Sequence, residues 1–104
     1  MFEEGAAVPF DIQRAFVIRY VPPWETRGQH AHKRCQQLLV ALVGTVTVRT
    51  KMGDRDESFE LNGPRRALYV PAGVYVEMSS WTPTTMLLVL ASERYDPDDY
   101  VVME

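Results

Sequence analysis

Gln37-Leu38-Leu39-Val40-Ala41-Leu42-Val43-Gly44-Thr45-Val46-Thr47-Val48-Arg49-Thr50 decides the fold class. After Gln37 the first half is continuously apolar, as a strand buried on both faces would be. Gly44 breaks the run. From Thr45 the pattern alternates, with Val46 and Val48 on one face and Thr45, Thr47 and Arg49 on the other. The stretch therefore reads as a buried strand followed by a half-buried one, with no helical period between them.

The flanks repeat this grammar of short β-branched and aromatic runs punctuated by Gly, Pro, Asn and Asp. Downstream, Met52-Gly53-Asp54 is a hairpin turn signal, and Phe59 and Leu61 share a face of the next strand. Asn62-Gly63-Pro64 turns into a strand over Ala67 to Val70, and Pro71-Ala72-Gly73 turns into another over Val74 to Met78. Met86 to Leu90 is a last core strand. Upstream, Ala15 to Tyr20 is a strand, and Val21-Pro22-Pro23-Trp24 is a loop because two prolines remove two ladder donors. The chain becomes strand-like again at His30. Only Asp96 to Tyr100 suits a helical turn, with Asp96 as cap and Pro97 at the first helical position. Evenly spaced strands of this kind predict an all-β fold, a small antiparallel barrel or jelly roll.

The 104 residues make one domain, 1–104, and 46% of them are apolar, enough for a packed core. No apolar run approaches the ~18 residues that cross a bilayer. The acidic start, Met1-Phe2-Glu3-Glu4-Gly5, lacks the pattern of a signal peptide, so a cytoplasmic location is expected. Cys35 is the sole cysteine, which excludes an intrachain disulfide and reads as a small buried side chain. A net charge of −3 argues against nucleic acid. The charge is uneven, however. From Ile12 to Met52, Arg14, Arg19, Arg27, Lys33, Arg34, Arg49 and Lys51 face Glu25 alone. A basic region on an acidic domain suits a small anionic ligand such as a diphosphate.

His30-Ala31-His32 holds both histidines of the chain. Residues two apart in a strand point the same way, so both imidazoles can enter one pocket. With an ordinary pKa near ~6.5, imidazole can ligate a metal or move protons at neutral pH. Tyr69, Tyr75 and Trp81 are candidates for stacking on a base or sugar ring.

Several spacings resemble the cupin superfamily. His30, His32, Gln37 and Gly44 fall at the positions of its first motif, and Pro71, Gly73 and Val76 at those of its second. Gln37 and Val76 occupy two of the superfamily's metal-ligand positions. Gln is a poor ligand and Val is none, so the pattern implies a pocket without a metal. Longer stretches narrow the resemblance: Val8-Pro9-Phe10-Asp11-Ile12-Gln13-Arg14, Arg27-Gly28-Gln29-His30-Ala31-His32-Lys33, Leu68-Tyr69-Val70-Pro71, Leu87 to Ser92, and Tyr95-Asp96-Pro97-Asp98-Asp99-Tyr100. Together they look like the dTDP-4-keto-6-deoxyglucose 3,4-ketoisomerases, or WxcM-like cupins. Relative to that family the N-terminus is short, and Tyr75-Val76-Glu77 stands where members often have Trp-His-Glu.

The resemblance implies a dTDP-sugar substrate, an enediol intermediate and no metal or other cofactor. It also implies a homodimer. By position, it makes His30 the catalytic base and His32 its partner, as orienter or second proton donor. Arg27 and Lys33 flank the histidines and are expected to bind the diphosphate or stabilise the enediolate, and Tyr69 and Tyr75 to contact the substrate. Two other readings use the same residues: a nucleotide-sugar epimerase, which adds a tyrosine acid, and a non-catalytic sugar-nucleotide-binding cupin. A metal-dependent dioxygenase is disfavoured by Gln37.

Overall fold

The computed structural model describes residues 2–3 and 8–102. Met1 and residues 4–7, part of the acidic segment read above, lie outside them. The strands are β1 (Phe2–Glu3), β2 (Arg14–Arg19), β3 (Arg27–His32), β4 (Gln37–Val43), β5 (Thr45–Met52), β6 (Arg55–Asn62), β7 (Ala67–Val70), β8 (Tyr75–Ser79), β9 (Met86–Ala91) and β10 (Tyr100–Val102). They form two five-stranded sheets, in the orders β1-β7-β4-β9-β2 and β10-β3-β8-β5-β6. Every pairing is antiparallel. The sheets pack face to face as a jelly roll, as the sequence predicts. No helix among the described residues is long and apolar enough to cross a membrane.

Alternation places the core. Val46 and Val48 of β5, Val76 and Met78 of β8, and Leu87 and Val89 of β9 meet between the sheets with Leu39 and Leu68. Each such aliphatic side chain stabilises the fold by about 1.5–3 kcal/mol through its burial. The reading of β4 as buried on both faces needs correction. Leu38, Leu39 and Ala41 are buried, but Val40 is half-buried and Leu42 and Val43 are exposed. A bulge between Ala41 and Val43 lets the end of β4 leave the core before Gly44.

Gly44, at φ +77, makes the β4–β5 corner. A Cβ there would lie 2.6 Å from Thr82 Oγ1 and 2.7 Å from Thr85 Oγ1. Those hydroxyls satisfy the corner: Thr45 N–H donates to Thr82 Oγ1, and the Thr85 hydroxyl donates to the Thr45 carbonyl. The β5–β6 hairpin closes on Gly53-Asp54, with Gly53 at φ +59 as a tight two-residue turn requires. The Pro71-Ala72-Gly73 turn also fastens β3, since Gly73 N–H donates to the His32 carbonyl at 2.7 Å.

Candidate functional site

β3 carries both histidines and lies between β10 and β8 in its sheet. His30 pairs with Val76, a core residue, and His32 pairs with Tyr100 of β10. Paired residues share a face, so both imidazoles and the Tyr100 ring point inward. The two imidazole centroids are 5.0 Å apart and edge-on, and the Tyr100 ring lies 4.5 Å from each. His32 is buried and His30 half-buried.

A bulge between Gly28 and His30 precedes the pair. Gly28 and Gln29 are both left-handed, at φ +87 and +64. Gly28 is required here, because a Cβ would sit 2.9 Å from the Val76 carbonyl oxygen. The bulge brings the Gly28 carbonyl within 2.9 Å of His30 Nδ1. A carbonyl can only accept, so Nδ1 carries the hydrogen, and in neutral His30 the lone pair is on Nε2.

His32 Nδ1 lies 3.1 Å from Asp99 Oδ2, and both side chains are buried. Burial pushes Asp99 up, but hydrogen bonds from the Arg34 and Cys35 backbone, the His32 bond and the Arg34 charge outweigh it, so the carboxyl sits below its ordinary value. Burial also pushes His32 below 6.5, with neighbouring His30 and the Arg14 charge acting in the same direction and Asp99 opposing them. His32 is therefore neutral at neutral pH and free to accept a proton.

The opposite sheet contributes Arg14 and Phe16 of β2, which face inward like their partners Ala91 and Val89. The Arg14 guanidinium lies over the Phe16 ring at 4.8 Å and the Tyr95 ring at 5.6 Å. Arg14 Nε and His32 Nε2 are buried and unpartnered by protein atoms. The site thus combines two basic imidazoles, a tyrosine hydroxyl and a guanidinium. Such a set can take a proton from carbon, return one, and stabilise an intervening oxyanion.

The other sequence candidates are scattered. Arg27 is exposed and paired with Glu25 at 2.7 Å. Lys33 is also exposed, and its N–H donates to the Asp99 carbonyl. Tyr69 donates to Gln36 Oε1 and lines a cavity of about 230 Å³ with Thr50, Met52, Arg55, Glu57 and Val74. Neither histidine lines that cavity, and Tyr69 pairs with Leu38, on the outer face of its sheet. Tyr75 is a correction. It precedes the inward Val76, so it turns to the outer face of β8, where Lys51 lies over its ring at 5.7 Å. It shares no pocket with the histidines.

The basic region is also partly neutralised. Arg34 pairs with Asp96 and Arg49 with Asp56 and Glu77, all acids beyond Met52. Asp99 and Tyr100 were missed as site residues because nothing local marks them. Their place depends on β10 pairing with β3, and the only signal was the Tyr-Asp-x-x-Asp-Tyr motif itself.

Among the described residues, one cluster of possible metal donors is close enough to share an ion: His32, Cys35 and Asp99, within 4.8 Å of one another. These groups are already engaged. The Asp99 carboxylate accepts from three N–H groups, and the Cys35 thiol donates to the Gln36 carbonyl. Binding there would break these hydrogen bonds in a buried setting.

The family described as WxcM-like, C-terminal (FdtA) matches residues 1–103. A TDP-4-oxo-6-deoxy-alpha-D-glucose-3,4-oxoisomerase of Aneurinibacillus thermoaerophilus is 37% identical over 99 residues, covering 95% of this chain and 71% of that one. The 3,4-ketoisomerase QdtA of Thermoanaerobacterium thermosaccharolyticum, solved with TDP, superposes with a TM-score of 0.88 at 45% identity, over 90% of this chain and 69% of that one. A variant of the same enzyme was solved with TDP-4-keto-6-deoxyglucose. The TDP-quinovose 3,4-ketoisomerase WlaRB of Campylobacter jejuni superposes with a TM-score of 0.87 at 36% identity, over 90% and 72%.

Proposed function

The chain belongs to the WxcM-like, C-terminal family, and from that membership we infer that it is a nucleotide-sugar 3,4-ketoisomerase. It moves the ketone of a TDP-4-keto-6-deoxyhexose from carbon 4 to carbon 3. The ketone acidifies the hydrogen on carbon 3. A base removes that proton, the carbon 4 oxygen is protonated, and an enediol forms. The hydroxyl on carbon 3 then loses its proton while carbon 4 gains one. Carbon 3 is oxidised and carbon 4 reduced, with no net change in atoms or electrons.

We assign the base to His30 and the partner role to His32. The observation that carries this is their inward juxtaposition at 5.0 Å, with His30 Nδ1–H tied to a carbonyl so that Nε2 is left to accept. Arg14 faces inward from the opposite sheet and suits the enediolate oxygen. Arg27, at the exposed start of β3, and Lys33, exposed just beyond its end, remain candidates for the diphosphate, and the Tyr69 cavity for the nucleoside. The proposed chemistry uses only imidazole proton transfer and calls for no metal, in keeping with Gln37 and Val76 at the superfamily's ligand positions. The free, buried Cys35 fits a cytoplasmic location.

The homodimer belongs to this proposal as well. Ala15, Val17, Val40, Leu88 and Leu90 alternate with core residues and line the outer face of their sheet, an apolar surface suited to a second copy.

Incubation with TDP-4-keto-6-deoxyglucose in deuterated water tests the reaction. The expected product is a 3-keto sugar with deuterium on carbon 4, read by NMR. Label on carbon 3 or 5 with the ketone still on carbon 4 would identify an epimerase. Binding of TDP without exchange would leave a non-catalytic module.

A further inference from the structure

Asp99 lies 67 residues from His32 in the chain and is 2% exposed. A carboxylate so deeply buried is costly unless its lone pairs are satisfied. Here they are. Oδ1 accepts from Arg34 N–H at 2.7 Å, Oδ2 accepts from Cys35 N–H at 3.2 Å, and the remaining contact is His32 Nδ1 at 3.1 Å. The backbone of the same residue is fixed too, since its carbonyl accepts from Lys33 N–H at 2.7 Å. The segment after His32 therefore wraps Asp99 with three consecutive N–H groups, from Lys33, Arg34 and Cys35. From the other side, Asp96 caps the Pro97–Asp99 turn by accepting from Asp98 N–H, which holds Asp99 at the mouth of β10.

Such a fixed acceptor has one consequence for the ring it faces. An ionised carboxylate cannot donate, so His32 must carry its hydrogen on Nδ1. Its Nε2 then holds the lone pair, on the buried side of the ring where no protein atom partners it.

We propose that Asp99 is a positioning residue for the isomerase reaction: it holds His32 in the Nδ1–H tautomer and in one ring orientation, so that Nε2 faces the substrate as a proton acceptor and, once protonated, as a donor. Asp99 touches no reacting atom and acts through His32. When His32 takes a proton, the adjacent carboxylate stabilises the imidazolium that forms. The proposal rests on the isomerase reading for its chemistry, but the tautomer is a property of the protein alone.

Long-range proton–nitrogen correlation spectra of the nitrogen-15-labelled protein test it directly. Native His32 is expected to show a protonated Nδ1 and an unprotonated Nε2. In Asp99→Asn the side-chain amide can present its own N–H to Nδ1, so the Nε2–H tautomer gains population. The turnover number should then fall by about 10²-fold, with the Michaelis constant for TDP-4-keto-6-deoxyglucose nearly unchanged. A native His32 protonated on Nε2 overturns the proposal, as does an Asp99→Asn protein that keeps both the native tautomer and the native turnover. Stoichiometric zinc bound through His32 Nδ1 overturns it as well. Should Asp99→Asn fail to fold, the native spectrum still decides. Should the parent protein turn over no substrate, the isomerase reading falls while the spectrum continues to test the His32–Asp99 pair.

Discussion

His30 and His32 are chemically identical side chains made unequal by their partners. His30 is tied to a backbone carbonyl and half-open to solvent, whereas His32 is buried against a carboxylate. The first difference motivates a substitution. His30→Asn keeps size and hydrogen bonding but cannot accept the carbon 3 proton, so turnover should drop by about 10²–10⁴-fold while TDP binding persists. Arg27→Ala should instead raise the Michaelis constant with little effect on turnover. Steady-state kinetics separate the two, and an unimpaired His30→Asn enzyme would move the base to His32. The second difference sets a pH dependence. Folded His32 ionises below 6.5, so the unfolded chain binds its proton first as pH falls. The contribution of His32 to stability is complete above 6.5 and is lost as pH drops through the folded value. Denaturant midpoints measured on either side of 6.5 should show this decline, and the His32 ring should titrate below 6.5 by NMR. The histidines themselves were legible because period-two alternation puts residues two apart on one face. Asp99, Tyr100 and Arg14 were not assigned to the site, because each reaches it through a pairing distant in sequence.

At the scale of the element, the sequence reading worked where hydrophobic period and turn chemistry agree. β4 and β7 occupy the residues expected, and the Asp96-capped turn forms where Asp96 and Pro97 placed it. It faltered where tertiary pairing decides. β1 and β10 are two and three residues long and carry no period of their own. β3 begins at Arg27, before the strand-like residues at His30, because pairing with β8 overrides the weak propensity of Gly28. Tyr75 was expected to stack on the substrate as an aromatic, but alternation from Val76 sends it outward. The corner at Gly44 yields a comparison between glycines. Gly44→Ala adds a left-handed alanine and drives its Cβ into Thr82 and Thr85, which should cost at least ~2 kcal/mol. Gly53→Ala meets nothing within 4 Å and should cost about 1 kcal/mol, from backbone conformation alone. Urea unfolding of the two variants measures the difference, and equal losses would show that the packed corner contributes nothing.

For the whole molecule, the two sheets divide the work: one carries both histidines and Tyr100, and the other lends Arg14 and Phe16 while keeping an apolar outer face. If that face joins two copies, light scattering should give twice the 11.9 kDa chain mass. Val17→Lys, at the exposed centre of β2, should shift the protein toward monomer with its inward site residues untouched. A monomer mass for the parent at micromolar concentration would count directly against the dimer. The bulge at Gln29 bears on how such a molecule tolerates gained or lost residues. Arg27 and His30 are an odd number of positions apart, yet their partners Met78 and Val76 both belong to the core. Gln29 absorbs the odd step, so the strand changes phase there and nowhere else in β3. Deleting Gln29 should therefore leave both imidazoles turned inward, whereas deleting Ala31 inverts His32 and parts it from Asp99. A single-residue gap beside the first histidine is thus a change of length without a change of face, and the same gap between the two histidines removes half of the site.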